Sequence, residues 1–325
     1  MHTGMAEGHQ YLDFERPIVD LEKKISDMKD FSSDESVRLE PEIRSMEQKL
    51  EKLRTEIYSS LTRWQRVQLS RHPRRPHCLD FIKLMTTDFL ELHGDRGIAD
   101  DPAMIGGFAR LEGQPILVVG QEKGRDTKEK LRRNFGMASP EGYRKALRLF
   151  RLAEKFGVPI VVLIDTPGAY PGIGAEERGQ AWAIAENIRE MFRIKSPIVT
   201  VILGEGASGG ALGIGIGDRI MVLEFAWYSV ISPEACAAIL WRDSAKGPEA
   251  AEALKPTAET LLQLGIVDKV IPEPPSGAHN DPAEAARLVK IDIMAALAEL
   301  KAIPIDELLR ERLQKFRVMG EYRVR

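Results

Sequence analysis

Cysteine is almost missing from this chain. Cys78 and Cys236 are the whole supply in 325 residues, and no C-x-x-C pair exists. A disulfide framework and a four-cysteine zinc site are therefore excluded, and the low count fits a reducing compartment. Long apolar runs are missing too: none approaches the ~18 residues of a membrane span. Residues 1–10 are polar, without the apolar stretch of a secretory leader. Both absences point to a cytoplasmic protein with no membrane partner. Neither charge sign prevails. The 46 Lys and Arg against 49 Asp and Glu leave −3, which gives no reason to expect nucleic acid as the main partner. Histidine is scarce, with six in all and no catalytic cluster along the sequence. His72 and His77 bracket two prolines in an arginine-rich stretch. Proline rules out helix there, and 71–76 reads as a solvated basic linker, not a metal site.

What is present is the composition of a globular protein, 43% apolar and 29% charged. The length suits one large domain with appendages, or two. In the first third, Leu39, Ile43, Met46, Leu50, Leu53, Ile57, Leu61 and Trp64 step by three and four, a seam of period near 3.5. Leu21, Ile25 and Met28 repeat it, and Asp30 to Glu35 reads as the break between two helices. Such a hairpin can close its seam on its own domain or offer it for docking, and the spacing leaves both open. From about residue 96 strands and helices alternate. Strands are expected at 104–111 and 115–120 around a Glu112-Gly113 turn, then at 158–164, 197–203, 219–223 and 227–231. Helices are expected at 139–156, 175–193, 233–241, 282–301 and 305–318. This order implies mostly parallel strands buried between helices.

Two of those strands run into glycine-rich loops. Val158–Ile164 leads into Asp165-Thr166-Pro167-Gly168-Ala169-Tyr170-Pro171-Gly172. Ile198–Leu203 leads into Gly204-Glu205-Gly206-Ala207-Ser208-Gly209-Gly210. Ligands of α/β sheets sit at such carboxyl ends, and glycine lets backbone approach them closely. The second loop fits three chemistries. Gly204, Gly206 and Gly209 match a dinucleotide loop, with Glu224 where a ribose-binding acid would stand. Against that, the following segment carries Gly209, Gly210, Gly213, Gly215 and Gly217, too weak a helix to support it. Gly206, Ser208 and Gly210 match a nucleophile elbow. Its histidine could only be His279, in a Pro/Gly-rich stretch that reads as surface, with Asp218, Asp243 or Asp268 as the acid. The bare amides of Gly209 and Gly210 can also form an oxyanion hole, which needs no side-chain base in this chain if the substrate brings one. Glu176 and Glu177 are the paired acids nearby, and they open a helix where acids are favoured anyway.

The two loops, Lys123–Met137, Pro140–Ala146 and Tyr228–Cys236 together resemble the signature segments of the carboxyltransferase α subunits of bacterial acetyl-CoA carboxylase. The resemblance runs from about Asp13 through the C-terminal helices. It implies an α/β crotonase-like (ClpP/crotonase) fold, a spiral of ββα units with an N-terminal helical hairpin and C-terminal helices. The implied divisions are a disordered extension 1–12, a helical region 13–75, a carboxyltransferase core 76–275 and C-terminal helices 276–325. The implied reaction moves a carboxyl group from carboxybiotin to acetyl-CoA, giving malonyl-CoA for fatty-acid synthesis. Another acyl-CoA carboxyltransferase, or a crotonase-type acyl-CoA enzyme, is the alternative.

The resemblance also implies site residues. Gly209 and Gly210 would hold the ureido oxyanion of biotin, and the released nitrogen would act as base. Gly168, Ala169, Tyr170, Pro171, Gly172, Gly206, Ala207 and Ser208, with Pro233 and Glu234, would line the biotin and substrate pocket. Lys123, Arg125, Lys128, Arg132 and Arg133 are either a solvated helix face or contacts to CoA phosphates or a partner subunit. Implied partners are a β subunit in an α2β2 assembly, biotin carboxyl carrier protein and biotin carboxylase. Zinc is implied on the β subunit only. The chain has no Ala-Met-Lys-Met sequence for biotin attachment, so no covalently bound cofactor is expected. Ala207 and Ala235 stand where the family often has glycine.

Overall fold

The computed structural model describes residues 11–32 and 39–320. Residues 1–10 of the expected extension, and most of the expected break after Asp30, lie outside them. The N-terminal region is a helical hairpin of α1 (Arg16–Ser32) and α2 (Glu40–Ser59). Its seam closes on itself: Ile18, Ile25, Ile43 and Leu50 are buried together, with Leu21, Met28, Met46 and Leu53 partly covered. Phe225 and Leu69 cap this small core from the main body. The seam does not run on to Trp64 as one helix. Thr62 ends it by capping a new helix, α3 (Arg63–Ser70), through a reciprocal hydrogen-bond box with Gln65.

Next come α4 (Cys78–Met85) and strands β1 (Thr87–Glu91), β2 (Met104–Leu111) and β3 (Gln114–Gln121). These three strands pair antiparallel, unlike the strands that follow. Glu112 (φ 48°) and Gly113 (φ 75°) make the tight turn between β2 and β3. Then follow α5 (Thr127–Arg132), α6 (Pro140–Phe156), β4 (Ile160–Thr166), α7 (Ile173–Glu177), α8 (Gln180–Met191) and β5 (Ile198–Ala207). The remaining elements are α9 (Ser208–Leu212), β6 (Arg219–Leu223), β7 (Trp227–Ser229), α10 (Pro233–Trp241), α11 (Gly247–Leu254), α12 (Ala258–Gln263), β8 (Lys269–Ile271), α13 (Pro282–Lys301) and α14 (Ile305–Val318).

One sheet organises the body, in the order β1-β2-β3-β4-β5-β6-β8, with β7 pairing off the end of β5. From β3 onward neighbours are parallel. Every residue of β4 and β5 is buried, as expected of strands covered on both faces. α6 packs through Tyr143, Ala146, Leu147, Phe150 and Ala153, which recur at helical spacing. Gly157, left-handed at φ 63°, ends it. The helix expected over 175–193 is two helices, because Gly179 turns left-handed (φ 80°) between α7 and α8. The strand expected to stop at Leu203 continues through Ala207, so Gly204 and Gly206 are strand residues. β7 is shorter than the expected 227–231 and pairs Tyr228 with Gly206.

The stretch read as a solvated linker is only partly so: Pro73 and Arg74 are exposed, but His72 and Arg75 within it, and His77 just after, are each at most 9% exposed. Arg75 donates twice to the Leu203 carbonyl, at 3.0 and 2.7 Å, and pairs with Glu273 at 2.6 and 2.9 Å. His279, read as a surface residue, is buried against Glu15 (3.2 Å) and His72, whose ring centroid is 4.0 Å away. Glu15 also accepts from Tyr58 Oη at 2.5 Å and Leu12 N at 2.7 Å, which ties the hairpin to the core. The Glu15, His72 and His279 ligand atoms are close enough to share an ion. Their surroundings do not suit one. Metal-bound imidazoles donate through the second nitrogen. His72 Nδ1 instead accepts from Arg74 N at 3.2 Å. At the far end, Arg312 makes a bidentate pair with Asp218, both bonds 2.7 Å, and docks α14 on the sheet.

Candidate functional site

The ends of β4 and β5 bring the two glycine loops into contact. A Cβ on Gly210 would lie 2.3 Å from Gly168 C and 2.5 Å from Ala169 N. No side chain fits there, so glycine at 210 is a condition of loop contact. Gly206 is similarly closed, with Tyr228 Cδ2 at 2.8 Å. Gly209 differs: its Cβ would meet nothing nearer than Ile184 at 3.5 Å.

α9 starts at the loop junction. Its first amides have no intrahelical acceptor by construction. Ala207 is paired in the sheet with Ser229, and among the described residues Gly209 and Gly210 N–H reach no acceptor outside the helix. Two backbone donors therefore stand uncommitted at a helix start, where partial positive charge favours an anion. Ser208 is exposed and held at φ 58°, the strained geometry of an elbow. Its hydroxyl has no histidine partner, since His279 is committed to Glu15. The dinucleotide reading fails on Glu224, whose carboxylate accepts Glu273 N at 3.1 Å.

In the first loop, Thr166 Oγ1 accepts from Gly168 N at 3.1 Å and donates to Gly168 O at 2.6 Å, folding the turn on itself. Gln180 Nε2 holds the Tyr170 and Ala138 carbonyls, both at 2.9 Å. Gly172 lies against the Tyr170 ring, and Pro171 is exposed.

Beneath the loops runs a line of charge, covered at Lys123, Asp165 and Glu205 and half-buried at Arg71 and Glu234. Lys123 Nζ bridges Asp165 and Glu205, each at 2.7 Å. Arg71 joins Glu205 at 2.5 Å and Glu234, and lies over the Trp227 ring. Burial opposes the charges of Glu205 and Lys123. For Glu205 the Lys123 and Arg71 cations outweigh burial and hold its carboxyl below the usual range. For Lys123 the two carboxylates outweigh burial and raise its ammonium above the ordinary value. Glu234 thus sits at the start of α10 as an ion-pair partner, while Ser232 caps the helix through Ala235 N at 3.2 Å.

The basic stretch divides. Lys123 is taken up by that line of charge. Arg133 is buried on Glu129 (3.0 Å) and the Pro102 carbonyl (2.7 Å). Arg125 pairs with Asp80 and donates to Arg75 O at 2.8 Å. Lys128 and Arg132 are exposed on α5. Arg71, Gln121 and Tyr143 were not picked out from sequence. Each lies far along the chain from the loops it touches; Tyr143 falls inside the Pro140–Ala146 segment and Arg71 inside the 71–76 stretch, but nothing local says which loop either one meets.

The chain matches the family described as acetyl co-enzyme A carboxylase carboxyltransferase-like over residues 11–320. It is 56% identical over 311 residues to the acetyl-coenzyme A carboxylase carboxyl transferase subunit alpha of a Thermus thermophilus strain, covering 96% of this chain and 98% of that one. It is 58% identical over 310 residues to the same-named subunit of Syntrophotalea carbinolica, covering 95% and 98%. Among solved structures it resembles transcarboxylase 12S, with TM-score 0.56 and 21% identity over 69% of this chain. The chain spans 42% of that transcarboxylase chain, and this likeness speaks to the fold alone. The fold is the crotonase type of such carboxyltransferases.

Proposed function

The chain belongs to the acetyl-CoA carboxylase carboxyltransferase α-subunit family, and from that premise we propose how its two loops serve the transfer of a carboxyl group to acetyl-CoA. The observation that carries the reading is the pair of uncommitted amides at Gly209 and Gly210, set where the two loops touch. They would donate to the ureido oxygen of biotin, which gains negative charge as the carboxyl group leaves. Carboxybiotin supplies the carboxyl group and, once that is lost, a nitrogen base for a proton of the acetyl methyl. This chain then needs no side-chain base, in keeping with a Ser208 that has no histidine beside it.

The loop from Gly168 to Gly172 would wall the ring, and Tyr170 and Pro171 offer it apolar surface. The acetyl-CoA half of the site would come from a β subunit carrying zinc, with biotin arriving on its carrier protein from biotin carboxylase, all in the cytoplasm. Large apolar side chains stand in solvent on the elements bordering the loops, as a subunit interface requires: Ile173 on α7, Trp182 on α8, Val230 after β7 and Ile239 on α10. No helix among the described residues is long and apolar enough to cross a membrane.

Gly209→Ala tests the reading. The methyl meets only ordinary contacts, and it replaces a helical glycine at a gain of about 0.5–1 kcal/mol. Cβ atoms tilt toward the helix N-terminus, so the methyl stands in the space the amides face. The variant should fold and assemble with the β subunit yet transfer carboxyl groups about 100-fold more slowly. Full activity would remove Gly209 and Gly210 from the mechanism.

A further inference from the structure

β3 ends on Gln121, which is fully buried. A buried amide must satisfy both its donor and its acceptor or it costs stability. Gln121 does so by bridging the two loops. Its Oε1 accepts Asp165 N–H, at the end of β4, at 3.2 Å. Its Nε2 donates to the Gly210 carbonyl at 2.9 Å. Tyr143 Oη, buried on α6, donates to the same oxygen at 3.3 Å. Gly213 N–H donates to Gly209 O at 2.9 Å, which fixes the peptide plane bearing Gly210 N–H. The Gln121 and Tyr143 bonds fix the next plane. Such support matters here. An α9 of five residues has little rigidity of its own, and glycines at 209 and 210 add backbone freedom.

We propose that Gln121 is a positioning residue for carboxyl transfer: it sets the height of the first turn of α9 against the end of β4 and so aims the Gly209 and Gly210 amides. This rests on the reading of those amides as the oxyanion donors. Only an uncharged group that both donates and accepts can do it. A carboxylate accepts but cannot donate, and lysine donates but cannot accept. Leucine fills the volume but leaves Asp165 N–H without its acceptor and the Gly210 carbonyl with only the longer Tyr143 bond.

The test uses the α subunit assembled with its β subunit, following kcat and KM for acetyl-CoA against pH. Gln121→Glu has the same shape. Protonated, the introduced carboxyl donates and accepts as the amide does; ionised, it turns a negative oxygen on the Gly210 carbonyl. Burial raises its pKa toward the working range. The ratio of variant to wild-type kcat should fall about 10- to 100-fold from the acid to the alkaline side, with KM changed less than about twofold. Gln121→Leu should lower kcat by a similar factor at every pH. If Gln121→Leu does not assemble, Gln121→Glu decides alone, being neutral and isosteric on the acid side. A ratio that stays flat with pH overturns the proposal. A flat ratio alongside an inactive Gly209→Ala removes only the role of Gln121. An active Gly209→Ala removes the oxyanion reading itself.

Discussion

Gly210→Ala puts the loop contact under direct strain. The added methyl would sit 2.3 Å from Gly168 C, 2.5 Å from Ala169 N and 2.6 Å from Gly168 O, where ordinary contact begins at 3.4 Å. All three atoms are backbone, so no rotamer change relieves the clash. The loops must part by about 1 Å, or α9 must tilt, at an overpacking cost of about 1–3 kcal/mol. The gain from replacing a helical glycine, about 0.5–1 kcal/mol, offsets part of this. The net loss should lower the melting temperature by a few degrees, about 2–4 °C per kcal/mol for a large domain. The effect on catalysis should be far larger, because misplacing reacting groups by about 1 Å can cost 100-fold. The assay is melting temperature and carboxyl-transfer kcat, read beside Gly209→Ala. Gly209→Ala should keep its stability and lose activity; Gly210→Ala should lose both. A Gly210→Ala protein with wild-type melting temperature and kcat would refute the loop contact and the reasoning built on it.

Ser208→Gly should retain full carboxyl transfer and leave stability unchanged or raised by up to about 1 kcal/mol, the relief of the left-handed residue (about 1–2 kcal/mol) being partly offset by glycine's extra freedom in the unfolded chain (about 0.5–1 kcal/mol); loss of activity would restore a role for the hydroxyl. Arg75→Met leaves Glu273 buried without its cation and takes two donors from the Leu203 carbonyl, so it should cost about 3–5 kcal/mol in a denaturant titration. A loss within experimental error would show that the pair is dispensable. Burial opposes the charge of Glu15, but hydrogen bonds from His279, Leu12 and Tyr58 outweigh it and lower the carboxyl from 4.5 to about 2. The folded pKa is depressed, so its stabilisation is present above pH ~4.5 and is lost as pH falls toward ~2. Glu15→Gln should therefore flatten the acid limb of melting temperature against pH, and an unaltered limb would rule out that linkage. Asp101 acts with the opposite sign: burial raises it from 3.8 to about 6, so its ionisation opposes folding as pH rises across that window.

The sequence by itself determined the long elements whose apolar periodicity or continuity is local, while short ones such as α4, α5, α11 and α12 went unread. Apolar continuity marked β4 and β5, the 3.5-residue seam marked α1 and α2, and Pro140 with Gly157 marked both ends of α6. The two loops were legible because their glycines are consecutive in the chain. Tertiary structure decided what depends on residues meeting from afar. Arg71, His72, Arg75 and His279 look like solvated loop residues along the chain, yet they are among its most committed side chains. Their partners, Glu205, Glu15, Glu273 and Leu203, lie more than fifty positions away, and burial charges each of them the cost of desolvation unless that partner is met. Gln121 is one polar residue at the end of an apolar strand, and nothing in its neighbours says that it spans two loops. The division between Gly209, with open space beside it, and Gly210, pressed on Gly168, was equally invisible: adjacent glycines read alike until the opposing backbone is in place.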